Sequence, residues 1–549
     1  MRLVARQFAT HDDQDREVPA VGTTQLVVLV AALLLAALAR RYDISVPLSL
    51  VVAGLLAGWI PGIEQAGLRP DFVMFVVLPP LLWSAGLESS YVALRRNVRP
   101  VVGLAAVLPL ITTFTVGLVA FRVVPELTMA AAMTLGAIVA PPDAVSATAI
   151  GRRLGLPRQM MTLLGGESLF NDATALTAYK VALAAAMGAA TTFQHGLTTF
   201  VEALLAGALV GGLLGLLIVG LRTWLDDPLV ESAIGLLAPF LIYWIAEEVH
   251  GSGVIAVVVA AVLLGQRSTR ATYATRLQDD AVWKSVTLIL ESFAFLLIGL
   301  QLPAAVKELH GIPFVTLAIE SVAVLGTVIL VRIVGVYAMA YALRVTNASM
   351  QANPPTRSQV FVVAWAGMRG VVSLAAAFAV PTTTLSGAEF PGRPQLVFLT
   401  FVVVVGTLLL QGITLPWLVK FLGVRNESQL QQDADAEAAA ATRAAQAASD
   451  RLDELLAEPD GDSQVNARVG HLLRYWNERR HQDVLQGIAG DDDAMGENPA
   501  SVTRRMRLEM LAAERESFIA QRDAGDIEDD VLREVMHGLD LEEAALSRE

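Results

Sequence analysis

The chain has 549 residues, 54% of them apolar and 17% charged, with 40 Lys plus Arg, 53 Asp plus Glu and a formal net charge of −13. Soluble domains usually carry about a quarter charged residues, so this composition excludes a disordered chain and points to a membrane protein rather than an ordinary soluble one. The absence of Cys excludes disulfides, thiolate metal sites and Cys nucleophiles. None of the seven His stands in an HxxxH or HExxH spacing, so a zinc enzyme has little support.

Charge is unevenly distributed. Asn426–Glu549 holds 13 Arg, no Lys and 29 acidic residues, a net of −16, which leaves +3 for Met1–Arg425. A weakly basic apolar body therefore carries an acidic polar tail. No basic stripe interleaved with aromatics suggests a nucleic-acid partner.

Residues 1–20 are polar and lack the basic start and apolar run of a signal peptide. From Thr23 onward thirteen apolar stretches follow, near 23–39, 45–60, 71–88, 100–121, 127–150, 159–188, 197–221, 229–248, 253–266, 281–302, 313–343, 357–381 and 394–419. About 20 helical residues cross a bilayer, and the expected fold is an all-α polytopic membrane protein of about 13 transmembrane helices. Basic residues cluster after the odd-numbered stretches (Arg40 and Arg41; Arg95, Arg96 and Arg99; Arg267, Arg270 and Arg276), whereas the even-numbered ones are followed only by Arg69, Arg122, Lys307 and Arg393. The positive-inside rule then puts the N-terminus outside and the C-terminus in the cytoplasm. The expected domains are an extracytoplasmic segment 1–20, a transmembrane domain 21–425 and an acidic helical cytoplasmic domain 426–549, with helices near 430–457, 465–487, 503–521 and 526–546.

Three stretches carry residues that an apolar helix does not need. The fifth contains Ala140-Pro141-Pro142-Asp143. Two consecutive prolines leave the carbonyls of Ala137 and Ile138 without intrahelical donors, and backbone so broken is tolerated in a membrane where it is buried in protein or lines a cavity. Asp143 is expected to cap the second half-helix. The sixth contains Gly165-Gly166-Glu167-Ser168-Leu169-Phe170-Asn171-Asp172. Ser168 and Asp172 share a helix face, Glu167 and Asn171 a neighbouring one, and the glycine pair permits close approach of another backbone. A hydroxyl and a carboxylate beside freed carbonyls make an oxygen site for a small hard cation, and such a carboxylate can exchange a proton with solution. The twelfth contains Gly367-Met368-Arg369-Gly370, a second expected discontinuity. Its permanently charged guanidinium is expected to form a structural ion pair with Glu167. Glu291, Glu247, Glu248, Arg332, Lys180 and Glu88 are assigned to packing or interface roles.

Pro141-Pro142-Asp143-Ala144-Val145, Gly166-Glu167-Ser168-Leu169-Phe170-Asn171-Asp172 and Gly367-Met368-Arg369-Gly370 together resemble the sodium/proton exchanger branch of the monovalent cation–proton antiporters. Leu78-Pro79-Pro80-Leu81-Leu82 and Glu291-Ser292-Phe293-Ala294-Phe295-Leu296-Leu297-Ile298-Gly299 add to the match, which covers about residues 20–425 in order. The resemblance implies a homodimer in the bilayer, inverted repeats, and two discontinuous crossing helices. It implies that Na+ (or K+ or Li+) and H+ compete for Asp172, with Ser168, Asn171 and the Pro142 backbone completing the ion site and no cofactor. Asn171 marks the branch taken as electroneutral. Many relatives have an acid near the position of Ser84, and its absence here puts the third stretch's part in doubt; Ser84 and Glu291 are secondary candidates. The expected location is the cell membrane, and the tail is expected to self-associate or bind a regulator. A proton-coupled transporter of an organic substrate is the alternative of a different class, while the absence of GxSxG, GxGD and HExxH argues against an enzyme.

Overall fold

Each of the thirteen apolar stretches falls on helix in the computed structural model, which describes residues 18–42, 44–60, 73–143, 151, 154–188, 193–225, 227–267, 271–309, 311–346, 354–424, 427–457, 463–489, 499–524 and 529–546. In chain order these are α1 (Val18–Arg41), α2 (Val46–Ala57), α3 (Leu78–Glu88, entered through a π-helical turn at Val73–Val77), a short α4 (Tyr91–Arg96), α5 (Val98–Val123), α6 (Met129–Val139), α7 (Arg158–Ala186), α8 (Phe193–Leu225), α9 (Pro228–Glu248), α10 (Gly253–Arg267), α11 (Tyr273–Lys307), α12 (Phe314–Thr346), α13 (Arg357–Trp365), α14 (Val371–Phe378) and α15 (Arg393–Phe421). Six of them are long and apolar enough to cross a membrane: α5, α8, α9, α11, α12 and α15. Their outward faces stay apolar, as on α8 with Leu205, Leu209, Leu213 and Leu217 exposed, which suits lipid and not water.

Local chemistry sets the helix starts. Thr356 opens α13 with a capping box, the Gln359 backbone N–H donating to the Thr356 hydroxyl at 3.2 Å and the Thr356 N–H to the Gln359 side chain at 2.9 Å. Asp227 caps α9 ahead of Pro228, a favoured first-turn residue.

The packing repeats itself. α2 lies on α11, and α10 lies on α3; α1 flanks α11 as α9 flanks α3; α5 backs α6 as α12 backs α13; α5 and α12 meet each other. Exchanging α1 with α9, α2 with α10, α3 with α11, α5 with α12 and α6 with α13 maps this pattern onto itself. Equivalent helices are seven apolar stretches apart, an odd number, so they run in opposite directions in an up-and-down chain. This is the inverted-repeat architecture.

Small residues draw these helices together. A Cβ on Gly54 of α2 would overlap the Leu296 carbonyl oxygen of α11, and one on Gly299 that of Val51. On α8 the run Gly207, Gly211, Gly215 meets Ser252, Ala256 and Ala260 at and along α10, the spacing that lets two backbones approach without side chains between them.

The chain divides into two units, Met1–Arg425 and Asn426–Glu549. The second is two antiparallel hairpins, α16 (Glu427–Ala457) with α17 (Ser463–Ala489) and α18 (Pro499–Ala524) with α19 (Asp529–Leu546). Arg474–Asp453 at 2.6 Å ties the first, and Arg507–Glu542 at 2.6 Å with Arg515–Asp540 at 2.7 Å the second. Hydrogen bonds from Arg507 hold the Glu542 carboxyl below its usual range.

Adjacent glycines on α8 provide a test of the packing. Gly211→Ala forces a methyl into the α10 backbone, at an overpacking cost of about 1–3 kcal/mol, and is expected to lower the melting temperature of the purified protein. Gly212 has nothing within 4 Å of its would-be Cβ, so Gly212→Ala is expected to be neutral or slightly stabilising. Equal melting temperatures for the two variants would contradict the assigned α8–α10 contact.

Candidate functional site

The site is built where α6 and the α13–α14 pair are both interrupted. Pro141 and Pro142 cannot donate, and Ala140 N–H reaches only Ala137 O at 3.4 Å. The next donor, Asp143 N–H, leaves its own helix and bonds Met368 O at 2.6 Å, inside the other interruption. Val139 and Ala140 are thus the carbonyls left over, two residues beyond the pair expected from the prolines alone. Arg369 takes both, donating from Nε to Val139 O at 2.9 Å and from Nη2 to Ala140 O at 3.3 Å. Its Nη1 bonds Gly367 O, and its backbone N–H donates to Thr407 Oγ1 at 3.0 Å. A buried cation at a helix C-terminus also faces the negative end of the dipole.

The second interruption is treated in the same way by a different arginine. Arg332, from α12, donates to Ala364 O at 3.2 Å and Val363 O at 3.3 Å, the last carbonyls of α13. Its two terminal nitrogens also grip Glu167 of α7, Nη1 to Oε1 at 2.5 Å and Nη2 to Oε2 at 3.1 Å. Glu167 and Arg332 are only 1% and 2% exposed. This corrects the expected Glu167–Arg369 pair. Arg369 is consumed by orphan carbonyls, and Glu167 belongs to Arg332, whose expected role was packing or an interface. The available signal was a charged residue in the middle of the long apolar α12, where insertion costs several kcal/mol unless something answers it.

The glycines flanking Met368-Arg369 are there for clearance. A Cβ on Gly367 would overlap the Arg332 side chain, and one on Gly370 would stand 2.7 Å from Asp143 Cγ. The Gly165-Gly166 pair does not admit a backbone as expected: Gly166 faces the side chains of Leu94 and Val101, and Gly165 faces open space.

That open space is a cavity of about 480 Å³ lined by Ser84, Pro142, Asp143, Ser168, Asp172 and Glu291, with Glu88 and Ser90 toward its mouth. No Lys, Arg or His is among its described lining residues. Ser168 and Asp172 both face it, as their four-residue spacing predicted. No hydrogen bond reaches the Asp172 carboxylate from the described residues, and Asp143 is close enough to act on it electrostatically. Asn171 is a correction. It is fully buried, does not line the cavity, and donates from Nδ2 to Pro142 O at 3.1 Å, tying α7 to the interruption of α6. The Pro142 carbonyl therefore already has one partner, although a carbonyl oxygen has a second lone pair. The half-helix that Asp143 was expected to cap lies outside the described residues.

Beyond Asp172 the helix runs into the core. Farther along α7, Ala173, Leu176 and Tyr179 are buried in the core with Val254 and Val258 of α10. There Lys180 meets both carboxylate oxygens of Glu247 at 2.8 and 2.6 Å.

A helix that ends at paired prolines, joined there to the break between α13 and α14 beside a polar cavity, is the kind of site that secondary transporters use. The chain matches the sodium/hydrogen exchanger transmembrane family over residues 28–421, and it belongs to that family of monovalent cation/proton antiporters, multi-pass membrane proteins and not enzymes. It is similar to an uncharacterised Na+/H+ exchanger of Mycobacterium tuberculosis, 36% identical over 550 residues and 96% of each chain. It is also similar to a sodium, potassium, lithium and rubidium/H+ antiporter of Bacillus subtilis, 28% identical over 412 residues, covering 72% of this chain and 61% of the other. Among solved structures it is similar to the sodium proton antiporter MjNhaP1 of Methanocaldococcus jannaschii at pH 8, with a TM-score of 0.59 at 20% identity, covering 74% of this chain and 99% of that one.

Removing one member of a buried pair strands the other, at about 3–5 kcal/mol. Glu167→Gln and Arg332→Met are each expected to lower thermal stability or yield, and the double variant to lose less than the sum of the two. Additive losses in a thermal-shift cycle, or coupling of Glu167 to Arg369 in place of Arg332, would contradict the assigned pair.

Proposed function

We propose that the protein exchanges Na+ for H+ one for one, both competing for Asp172. The observation that carries this reading is the placement of Asp172. It is the cavity-facing carboxylate of α7, without a hydrogen-bonding partner among the described residues, one turn from the Ser168 hydroxyl. Asp143, Glu88 and Glu291 around the same cavity draw cations in, since a narrow cleft of one charge sign concentrates its counter-ions. Asp172, Ser168 and the second lone pair of the Pro142 carbonyl are hard oxygen ligands suited to an alkali cation. The name of the Mycobacterium tuberculosis relative supports Na+ as the cation. The Bacillus subtilis relative, named for four alkali cations, favours a second reading in which K+ or Li+ also serves, since nothing in the oxygen set rejects them by charge.

Ser90 and Leu94 line the cavity, and Arg95, Arg96 and Arg99 follow them in the chain. With the basic loops assigned to the cytoplasm, this reading is of an inward-facing state with an external N-terminus and a cytoplasmic tail, in the cell membrane, as one protomer of a homodimer.

In proteoliposomes holding a pH dye, external Na+ is expected to alkalinise acid-loaded vesicles without any organic solute. Asp172→Asn is expected to abolish this signal while remaining folded and membrane-inserted. Cation-dependent proton flux in the purified variant would refute the role given to Asp172.

Competition at one site has a quantitative consequence. The apparent affinity for Na+ is expected to weaken about tenfold per pH unit below the pKa of the site and to level off above it, as linkage requires. Because Asn171 is neutral and Glu167 is held by Arg332, no second proton carrier rides on α7, and a membrane potential is expected neither to drive nor to slow exchange. A steady-state current that reverses as two protons per cation demand would overturn the one-for-one reading.

A further inference from the structure

Glu291 occupies the wall of the cavity that the exchange reaction leaves unused. It lies on α11, an uninterrupted helix outside the crossing, and with Thr287 and Phe295 it forms a cavity-lining stripe at four-residue spacing. One turn before it, Thr287 Oγ1 is 3.1 Å from Ser84 Oγ of α3, and Ser84 itself is only 7% exposed. A carboxylate and two hydroxyls are thus gathered on the wall opposite α7.

Among the described residues Glu291 is half-buried and has neither a hydrogen bond nor an ion pair. The charges nearby show what is missing. Glu167 and Arg332 answer each other. Arg369 gives its side-chain hydrogen bonds to carbonyls, so its charge is left to offset one acid, and Asp143 lies against the adjacent Gly370. Asp172 and Glu291 remain, facing a cavity without a basic side chain. Arg40 acts on Glu291 through space without forming an ion pair, so this partly desolvated carboxylate still lacks a counter-charge in contact with it, a place open to a cation from solution.

We propose that Glu291, with the hydroxyls of Thr287 and Ser84, forms a second monovalent-cation site, filled from the cavity mouth, from which the cation passes to Asp172. This rests on the exchange reading of Asp172 and adds to it a site on the opposite wall. The site raises the cation concentration seen by Asp172. It does not change the stoichiometry, since α11 carries no part of the crossing.

The test is Na+-dependent proton flux in vesicles with wild type, Glu291→Gln, and the double variant Glu291→Gln/Ser84→Glu, which moves the carboxylate across to the neighbouring helix beside Thr287. Glu291→Gln is expected to raise the KM for Na+ about fivefold or more, with the maximal rate kept within about twofold and the one-for-one coupling unchanged. The double variant is expected to bring KM back toward wild type. An unchanged KM, or a fall in maximal rate alone, would overturn the proposal, as would a folded double variant that recovers nothing. Asp172→Asn in the same vesicles separates the two readings. Flux in that variant defeats the role of Asp172, whereas a silent Asp172→Asn beside an unshifted Glu291→Gln defeats only the second site.

Discussion

The structure of this site depends on backbone carbonyls that have lost their donors. Proline at 141 and 142 and the turn at 366–370 interrupt two helices in the protein interior, and each interruption leaves acceptors that cannot turn to water. Leaving such a group unpaired costs about 1–3 kcal/mol. Two arginines resolve it, Arg369 for the end of α6 and Arg332 for the end of α13. A guanidinium suits the task because its donors lie in a rigid plane and can serve two carbonyls at once. The glycines at 367 and 370 follow from this arrangement, since they make room for Arg332 and for Asp143.

The arrangement is tied together from three sides. Asp143 N–H to Met368 O joins the two breaks directly. Asn171 to Pro142 O joins α7 to the first, and Glu167 to Arg332 joins α7 to the helix that caps the second. A shift of α7 therefore moves both breaks with it. Secondary transport needs this property: the group that binds the ion has to travel with the irregular backbone beside it as one body.

Much of this was legible in the sequence, and the rest was not for identifiable reasons. The apolar stretches located the helices of the body apart from the short α4, and the four-residue spacing of Ser168 and Asp172 put both on the cavity. Periodicity within a helix fixes which residues share a face, but not what that face meets. Arg369 was visibly out of place in an apolar stretch, yet its partners are carbonyls, which have no signature in a side-chain sequence. Glu167 was consequently assigned to the nearer-looking arginine. Asn171 and Asp172, neighbours in the chain, differ by about 100° around the helix, enough to send one to the interruption and the other to the cavity. The inverted repeat was not readable from composition or spacing; the motif resemblance implied it, and which helices pack together displays it.

Function follows from which charges the protein has already answered. A carboxylate paired with arginine, as Glu167 is, cannot trade its partner for an ion without stranding a buried cation. A cation spent on carbonyls, as Arg369 is, cannot move to pair with an acid across the cavity without releasing the helix end it holds. Asp172 faces the cavity with neither kind of partner among the described residues, so the interactions that hold the crossing together also leave it open to ions from solution. Strengthening the site with another buried base would stabilise the fold locally and remove the need for a transported ion. The Asp172 carboxylate is therefore best understood as the counterpart of a cation that comes and goes.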